Sequence, residues 1–298
     1  MALNYDPSPI ALSCIAEHIV GECPVVTGAT EVGFVWSPGE SLLTFAISAE
    51  FARDAASRGN VAAVLVDDSV DDLTEAELNT GKFIRVRNAR LNFFRVQNSL
   101  REKMAFAPNE IASTARIHRT ANIDEAGVKI GDHSIVEAGA TIQAGTTVGR
   151  HCVIRGGVHL GSDALDIKKD EAGNPYMTDH LGGVVIGDHV EIGHNSVVDR
   201  SIFRQTATTI GSHTKIGCLS NISHGVKLGE RNMIAAGVKI CGSTVVGDDN
   251  WIGPGAIISN LLTVGSRNYI ALGANVLANL EDDWKVVGIR VFKDRKLF

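Results

Sequence analysis

Residues 216–264 read IGCLSNISHGVKLGERNMIAAGVKICGSTVVGDDNWIGPGAIISNLLTV. Within them Ile216, Ile222, Leu228, Ile234, Ile240, Val246, Ile252, Ile258 and Val264 recur at every sixth place. No helix explains a period of six, because 3.6 residues per turn would smear these positions around the whole cylinder. Simple strand alternation does not explain it either, since small residues and glycines interrupt the pattern. A flat strand, a turn and another flat strand do explain it, with each aliphatic side chain pointing inward. Three such hexads close one triangular coil, and stacked coils form parallel sheets.

The same phase extends in both directions. Ile111, Ile117 and Ile123 are six apart; after a slip of one come Ile130, Val136, Ile142, Val148, Ile154 and Leu160. It resumes at Ile186, Ile192 and Val198 and runs from Ile210 to Val276. Counting Arg204, the one failure, 24 of 25 phased positions are Ile, Val or Leu, which predicts about eight coils. The break between Leu160 and Ile186 marks an insertion, residues 162–183 (SDALDIKKDEAGNPYMTDHLGG), charged and without a period. Long loops of this kind are usually functional, and this one is expected to be a lid over a ligand groove.

Composition agrees with a change of architecture near Pro108. Of the 31 glycines, 6 precede residue 108 and 25 follow it, whereas seven of the ten Phe precede it. The net charge of −6 argues against a general nucleic-acid binder, which needs a basic face. No apolar run approaches the length of a membrane span, and no basic-then-apolar leader opens the chain. Five cysteines without a CxxC pair suit a reduced, cytoplasmic protein.

Residues 1–104 read as a small α/β domain. Helices are predicted over 8–20, Ser48–Arg58 and Leu91–Lys103, and strands over Val61–Asp67 and Phe83–Arg87. Neither a GxGxxG turn nor a GxxxxGK[ST] loop is present, so the usual dinucleotide and P-loop fingerprints are missing. Residues 105–280 hold the hexads, and 281–298 are expected as a short tail.

The chemistry is sought among the histidines. His133, His151, His189 and His213 each sit three places after a phased aliphatic residue, which is an outward turn and reads as a solvated corner. His224 sits two places after Ile222, in Asn221-Ile-Ser-His-Gly225, on what is expected to be a surface corner. One coil further along lies Gly242, about 4.8 Å away if the coils stack as β-strands do. A glycine there leaves a ligand free to approach the backbone. An imidazole beside an open N–H suits acyl transfer: the ring takes a proton from an attacking amine or hydroxyl, and the amide stabilises the oxyanion. A merely structural histidine is the competing explanation.

The hexads resemble the hexapeptide-repeat family, whose fold is a left-handed parallel β-helix; the handedness comes from that resemblance, not from the spacing. A purely structural solenoid or an ice-binding surface is an alternative, but flat Thr ladders are missing. The whole chain is similar to the UDP-3-O-(3-hydroxyacyl)glucosamine N-acyltransferases of lipid A biosynthesis. The likeness rests on VVIGDHVEIGHNSVVDRS (184–201) and ISHGVKLGERNMIAAGVKICGS (222–243). It implies a nucleotide-binding N-terminal domain, a homotrimer with sites between subunits, and an acyl donor carried on acyl carrier protein. The family's catalytic histidine falls on His224 and its neighbouring glycine on Gly242. LTFAISAEF (43–51) resembles the uracil-binding segment, with its two aromatic residues on Phe45 and Phe51 and its asparagine on Ser48. Asn221, Ser223 and Asn260 are further polar candidates for orienting substrates.

Three departures bear on the donor. The family's second active-site histidine falls on Leu261, and the insertion lacks the family's Gly-Phe-Gly-Tyr segment. The family's C-terminal helices have no counterpart before Phe298. Instead VVGIRVFKDR resembles the VVG-x-P-A-x-V ending of acetyl-CoA-dependent sugar acetyltransferases, with Arg290 in place of the proline. The expected reaction is therefore N-acyl transfer from acyl carrier protein or CoA to the amine of a nucleotide-linked sugar, lipid A or surface-glycan type. No metal and no permanently bound cofactor are expected. A rival is a γ-class carbonic-anhydrase-like zinc site, because His189 and His194 are five apart in HVEIGH; whether His194 serves a site across a trimer stays open.

Overall fold

The computed structural model describes residues 9–21 and 28–293. Cys23, residue 8 of the first expected helix and residues 294–298 of the expected tail lie outside them.

The hexads form a three-sided parallel β-helix. Its faces are two eight-stranded sheets and one of ten strands. Ile222 pairs in register with Ile240, and Ile240 with Ile258, so successive coils stack phased residue on phased residue. The aliphatic side chains make one continuous core in which Ile142, Ile154, Leu160, Ile192, Val198, Ile240 and Ile258 have no solvent exposure. Each fully buried aliphatic side chain contributes about 1.5–3 kcal/mol relative to exposure, and the strict period delivers them to a single axis. Ile111 is 40% exposed because it belongs to the end coil, which has a neighbour on one side only. At one corner polar side chains replace aliphatic ones and bond from coil to coil. There Asn232, Asn250 and Asn268 stack, each Oδ1 accepting the next coil's backbone N–H at 2.7–2.9 Å.

Two departures interrupt the regular coiling. Val148 pairs with Ile186, so the insertion leaves the prism between them. It is not an unstructured loop: Ile167–Lys169 and Pro175–Met177 form an antiparallel hairpin. The second departure corrects the phase count. Val198 pairs with Ile222, one hexad later than in a regular coil, so the Arg204 hexad is extruded and is not a side of the prism. Arg204 failed the pattern because it never faces the core. Its guanidinium donates to Thr30 O at 3.2 Å and lies 3.7 Å from Glu31 Oε1 in the N-terminal domain.

The expected tail also contributes structure: Trp284–Val287 pairs in parallel with Tyr269–Ile270, then antiparallel with Arg290–Lys293.

The N-terminal domain is a four-stranded parallel sheet in the order β1 (Glu31–Val32), β2 (Leu42–Ala46), β3 (Val61–Asp67), β4 (Phe83–Val86). Helices α1 (Ala49–Ser57), α2 (Glu75–Leu78) and α3 (Ala89–Ser99) follow β2, β3 and β4. Of the expected first helix, the described part forms a short 3-10 helix at Ser13–His18. The α1 start is set by Ser48, whose hydroxyl accepts from Phe51 N–H at 3.3 Å. Its inner face is Ala49, Ala52 and Ala55, small enough to lie close on the sheet. α3 begins at Asn88, in the left-handed region at φ 50°, whose side chain accepts from Leu91 N–H.

The two departures from the prism fasten this domain to it. Leu181 of the insertion and Ile202 and Phe203 of the extruded hexad join the N-terminal core. The Phe203 ring meets Phe34 edge-on at 4.8 Å. Arg95 on α3 makes a bidentate pair with Glu171 at 2.7 Å, holding the hairpin against the helix. Among the described residues no helix is long and apolar enough to cross a membrane.

Candidate active site

A cleft of about 780 Å³ runs between the N-terminal sheet and one corner of the prism. One wall is Phe34, Trp36, Phe45, Ser48 and Phe51, from the segments around β2 and the start of α1. The opposite wall is His224, Gly242 and Asn260, three successive coils of the same corner. The hairpin closes a third side with Asp166 and Lys168. The insertion thus borders the cleft, as expected of a segment over a ligand groove, and is tied to α3 by Asn98, which donates to Met177 O at 2.9 Å.

His224 and Gly242 stack as the one-coil spacing requires: Ser243 N–H donates to His224 O at 2.8 Å. Gly242 is buried, and a Cβ built on it falls 2.4 Å from both Cε1 and Nε2 of His224. The missing side chain makes room for the imidazole, and Gly242 also lines the cleft. Among the described residues the Gly242 N–H meets no acceptor.

His224 is half-buried, not on an open surface corner, because the insertion covers it. Its Nδ1 is buried with no hydrogen-bond partner. Burial lowers its pKa below the ordinary value, against the pull of the Asp166 and Asp199 carboxylates and with the help of Lys168. The imidazole is therefore neutral near pH 7, the form a general base needs.

The remaining sequence candidates separate. Phe45 and Phe51 both reach the cleft, but Phe45 also packs on Phe93 at 5.0 Å and on Phe34 at 6.3 Å. Ser48 lines the cleft while its hydroxyl caps α1. Asn260 is exposed on the cleft rim beside Leu261. Asn221 and Ser223 are not on its walls. Asn221 donates to Asp199 at 3.3 Å, and Ser223 also bonds that carboxyl. Burial raises the Asp199 carboxyl, which additionally accepts from Ser162 at 3.1 Å.

Sequence reading missed Asp166, Lys168, Arg90 and His180. The insertion has no period to assign a facing direction, so nothing distinguished its inward charges from a solvated run. Lys168 is 8% exposed, paired with Asp166 and 4.2 Å from the Phe94 ring centroid.

The residues of the zinc rival do not converge. His189 belongs to an exposed ladder with His151 and His213, rings 4.9 and 4.7 Å apart and nearly parallel. His194 lies at another corner, 3.5 Å from Glu137 and 3.9 Å from Cys218 Sγ. Among the described residues no group of three or more His, Cys, Asp or Glu could hold a metal ion.

The bacterial transferase hexapeptide family (six repeats) matches residues 127–162 and 207–242. Relatives of similar sequence are named UDP-3-O-acylglucosamine N-acyltransferase. The Legionella pneumophila protein is 39% identical over 97 residues, 33% of this chain and 27% of that protein. The Coxiella burnetii protein is 36% identical over 104 residues, 35% of this chain and 30% of that protein. The chain therefore spans less than a third of the length of these curated relatives. Among solved structures, the UDP-N-acetylglucosamine acyltransferase of Francisella novicida superposes with a TM-score of 0.50 at 21% identity, covering 62% of this chain and 69% of that one. The Campylobacter jejuni enzyme gives 0.50 at 22%, covering 61% and 73%. The fold is the left-handed parallel β-helix with a small N-terminal α/β region.

Proposed function

We propose that the chain is an N-acyltransferase that moves an acyl group from a thioester, on acyl carrier protein or CoA, to the amine of a nucleotide-activated amino sugar. The observation that carries this reading is the His224 imidazole seated on Gly242, facing a cleft whose opposite wall is aromatic. The base of the nucleotide lies against Phe45 and Phe51, and the sugar amine reaches His224. The amine nitrogen attacks the thioester carbonyl, and a C–N bond forms as the C–S bond breaks. His224 takes the proton from the attacking nitrogen and returns it to the departing thiolate, an effect worth about 10²–10⁴ in rate. The Gly242 N–H, without an intramolecular acceptor, is the donor to the oxyanion, worth on the order of 3 kcal/mol.

We read the enzyme as a cytoplasmic homotrimer that needs no permanently bound cofactor. The relatives' name, UDP-3-O-acylglucosamine N-acyltransferase, favours an acylated UDP-glucosamine as the acceptor. The experiment crosses UDP-, dTDP- and GDP-amino sugars with acetyl-CoA and hydroxyacyl carrier protein, reading product mass. Activity only with the hydroxyacyl donor supports the lipid A type. Activity only with acetyl-CoA moves the protein to the acetyltransferases, and no product from any pair refutes the reading.

A further inference from the structure

His180 ends the insertion and is fully buried. Its backbone is held on both sides. Gln97 of α3 donates to Asp179 O at 2.7 Å, Asp179 N–H donates to Asn98 Oδ1 at 2.9 Å, and Leu181 N–H donates to Ile202 O at 2.9 Å. Its Nδ1 accepts from Ala164 N–H at 3.4 Å. The ring stands edge-to-face with His224, centroids 5.2 Å apart and planes at 77°. The other nitrogen, His180 Nε2, is buried without a partner, as is His224 Nδ1. Buried polar atoms are seldom left orphaned, and here two orphans belong to neighbouring rings.

We propose that His180 is a positioning residue for His224: its edge-to-face ring fills the space behind the imidazole, keeps water from the unpaired Nδ1, and holds the opposite edge toward the cleft. This rests on the reading of His224 as the base. The groups facing His224 are Asp166 and Lys168 from the hairpin, Asp199 from the preceding coil, Cys241 and Gly242 from the next coil, and His180 from the end of the insertion. His180 is the one whose removal admits water behind the ring. Burial pulls its own pKa down to about 4, so it stays neutral and does not compete for the substrate proton. A neutral imidazole placed there excludes water without attracting the proton that a carboxylate would.

The test uses the full chain with ring-labelled histidine, assigning the His224 signal by its loss in His224→Asn. His180→Ala lets water reach Nδ1, so the His224 pKa rises by about half a unit or more. The same variant lowers kcat about tenfold or more while KM for the amino sugar stays within about threefold. His180→Gln, whose side chain still fills the space behind the ring, keeps the His224 titration and restores kcat to within about threefold. If His180→Ala does not fold, His180→Asn takes its place, because its shorter side chain leaves that space open to water. An unmoved His224 titration in the alanine or asparagine variant overturns the proposal, as does a glutamine variant as impaired as alanine. The titration needs no substrate, so failure of the acyl-transfer reading is distinguishable from failure of this one.

Discussion

The substitution Gly242→Ala adds one carbon at the place where the structure has none to spare. The new Cβ would lie 2.4 Å from Cε1 and Nε2 of His224 and 3.0 Å from Nδ1. Ordinary contact begins at 3.4 Å, so the ring must withdraw by about 1 Å. Gly242 is not in the left-handed backbone region, so alanine brings no backbone strain. The atoms it meets are the far end of a side chain, so the stability cost stays within about 1–2 kcal/mol, the lower part of the overpacking range. Misplacing a catalytic group by that distance costs about a hundredfold in rate. The variant is therefore expected to lose kcat/KM out of proportion to its stability. Steady-state kinetics with the accepted donor and acceptor, beside thermal unfolding, measure the two. His224→Ala supplies the internal control: with the ring gone, adding Gly242→Ala should cost no further stability. Gly59→Ala, where a Cβ meets nothing within 4 Å, should change neither quantity. A Gly242→Ala enzyme with wild-type kcat/KM would refute the idea that this glycine exists to seat the imidazole.

Further outcomes follow from the same geometry. His224→Asn should lower kcat by about 10²–10⁴, and the acid limb of wild-type kcat/KM should fall below pH 6.5, since burial depresses this histidine; a limb above 6.5 contradicts it. His180 has a folded-state pKa of about 4 against 6.5 when unfolded, so its neutral form contributes stability above pH 6.5 that is lost as the pH falls through 4. The loss amounts to about 3 kcal/mol, and denaturant unfolding at pH 7 and pH 4 should show a smaller difference in His180→Gln. Phe51→Ala should raise KM for the nucleotide sugar about tenfold, one base stacking on an aromatic being worth about 1–3 kcal/mol, and also lower stability, because the ring packs on the N-terminal core. Phe45→Ala should in addition destabilise by about 3 kcal/mol, because its ring packs on Phe93 and Phe34. Ile240→Ala should cost about 2–5 kcal/mol at unchanged KM, since the residue is fully buried on the axis.

Much of the prism was legible because its rule is local. Every coil solves the same problem at the same spacing, so Ile222, Ile240 and Ile258 could be placed in one stack without knowing any other contact. The neighbourhood of His224 and Gly242 followed from that spacing alone. In the N-terminal domain β3 was visible as an apolar run, but β2 was not. Leu42-Leu43-Thr44-Phe45-Ala46 is buried on both faces and shows no alternation to announce a strand. Arg204 was visible only as a failure of phase, because its partners Thr30 and Glu31 lie in a distant part of the chain.

The sequence by itself determined the repeat, the coil count and the corner that carries His224, whereas the segment with Phe45 and Phe51 was indicated only by its resemblance to a known family. Each of the first three depends on a period, and backbone stacking converts such a pattern into space with little freedom. Only the tertiary structure decided that the imidazole lies on Gly242, that the insertion walls one side of the cleft, and that His180 stands behind His224. Those relations join side chains from the hairpin, α3 and the prism, whose separations in sequence bear no relation to their separations in space.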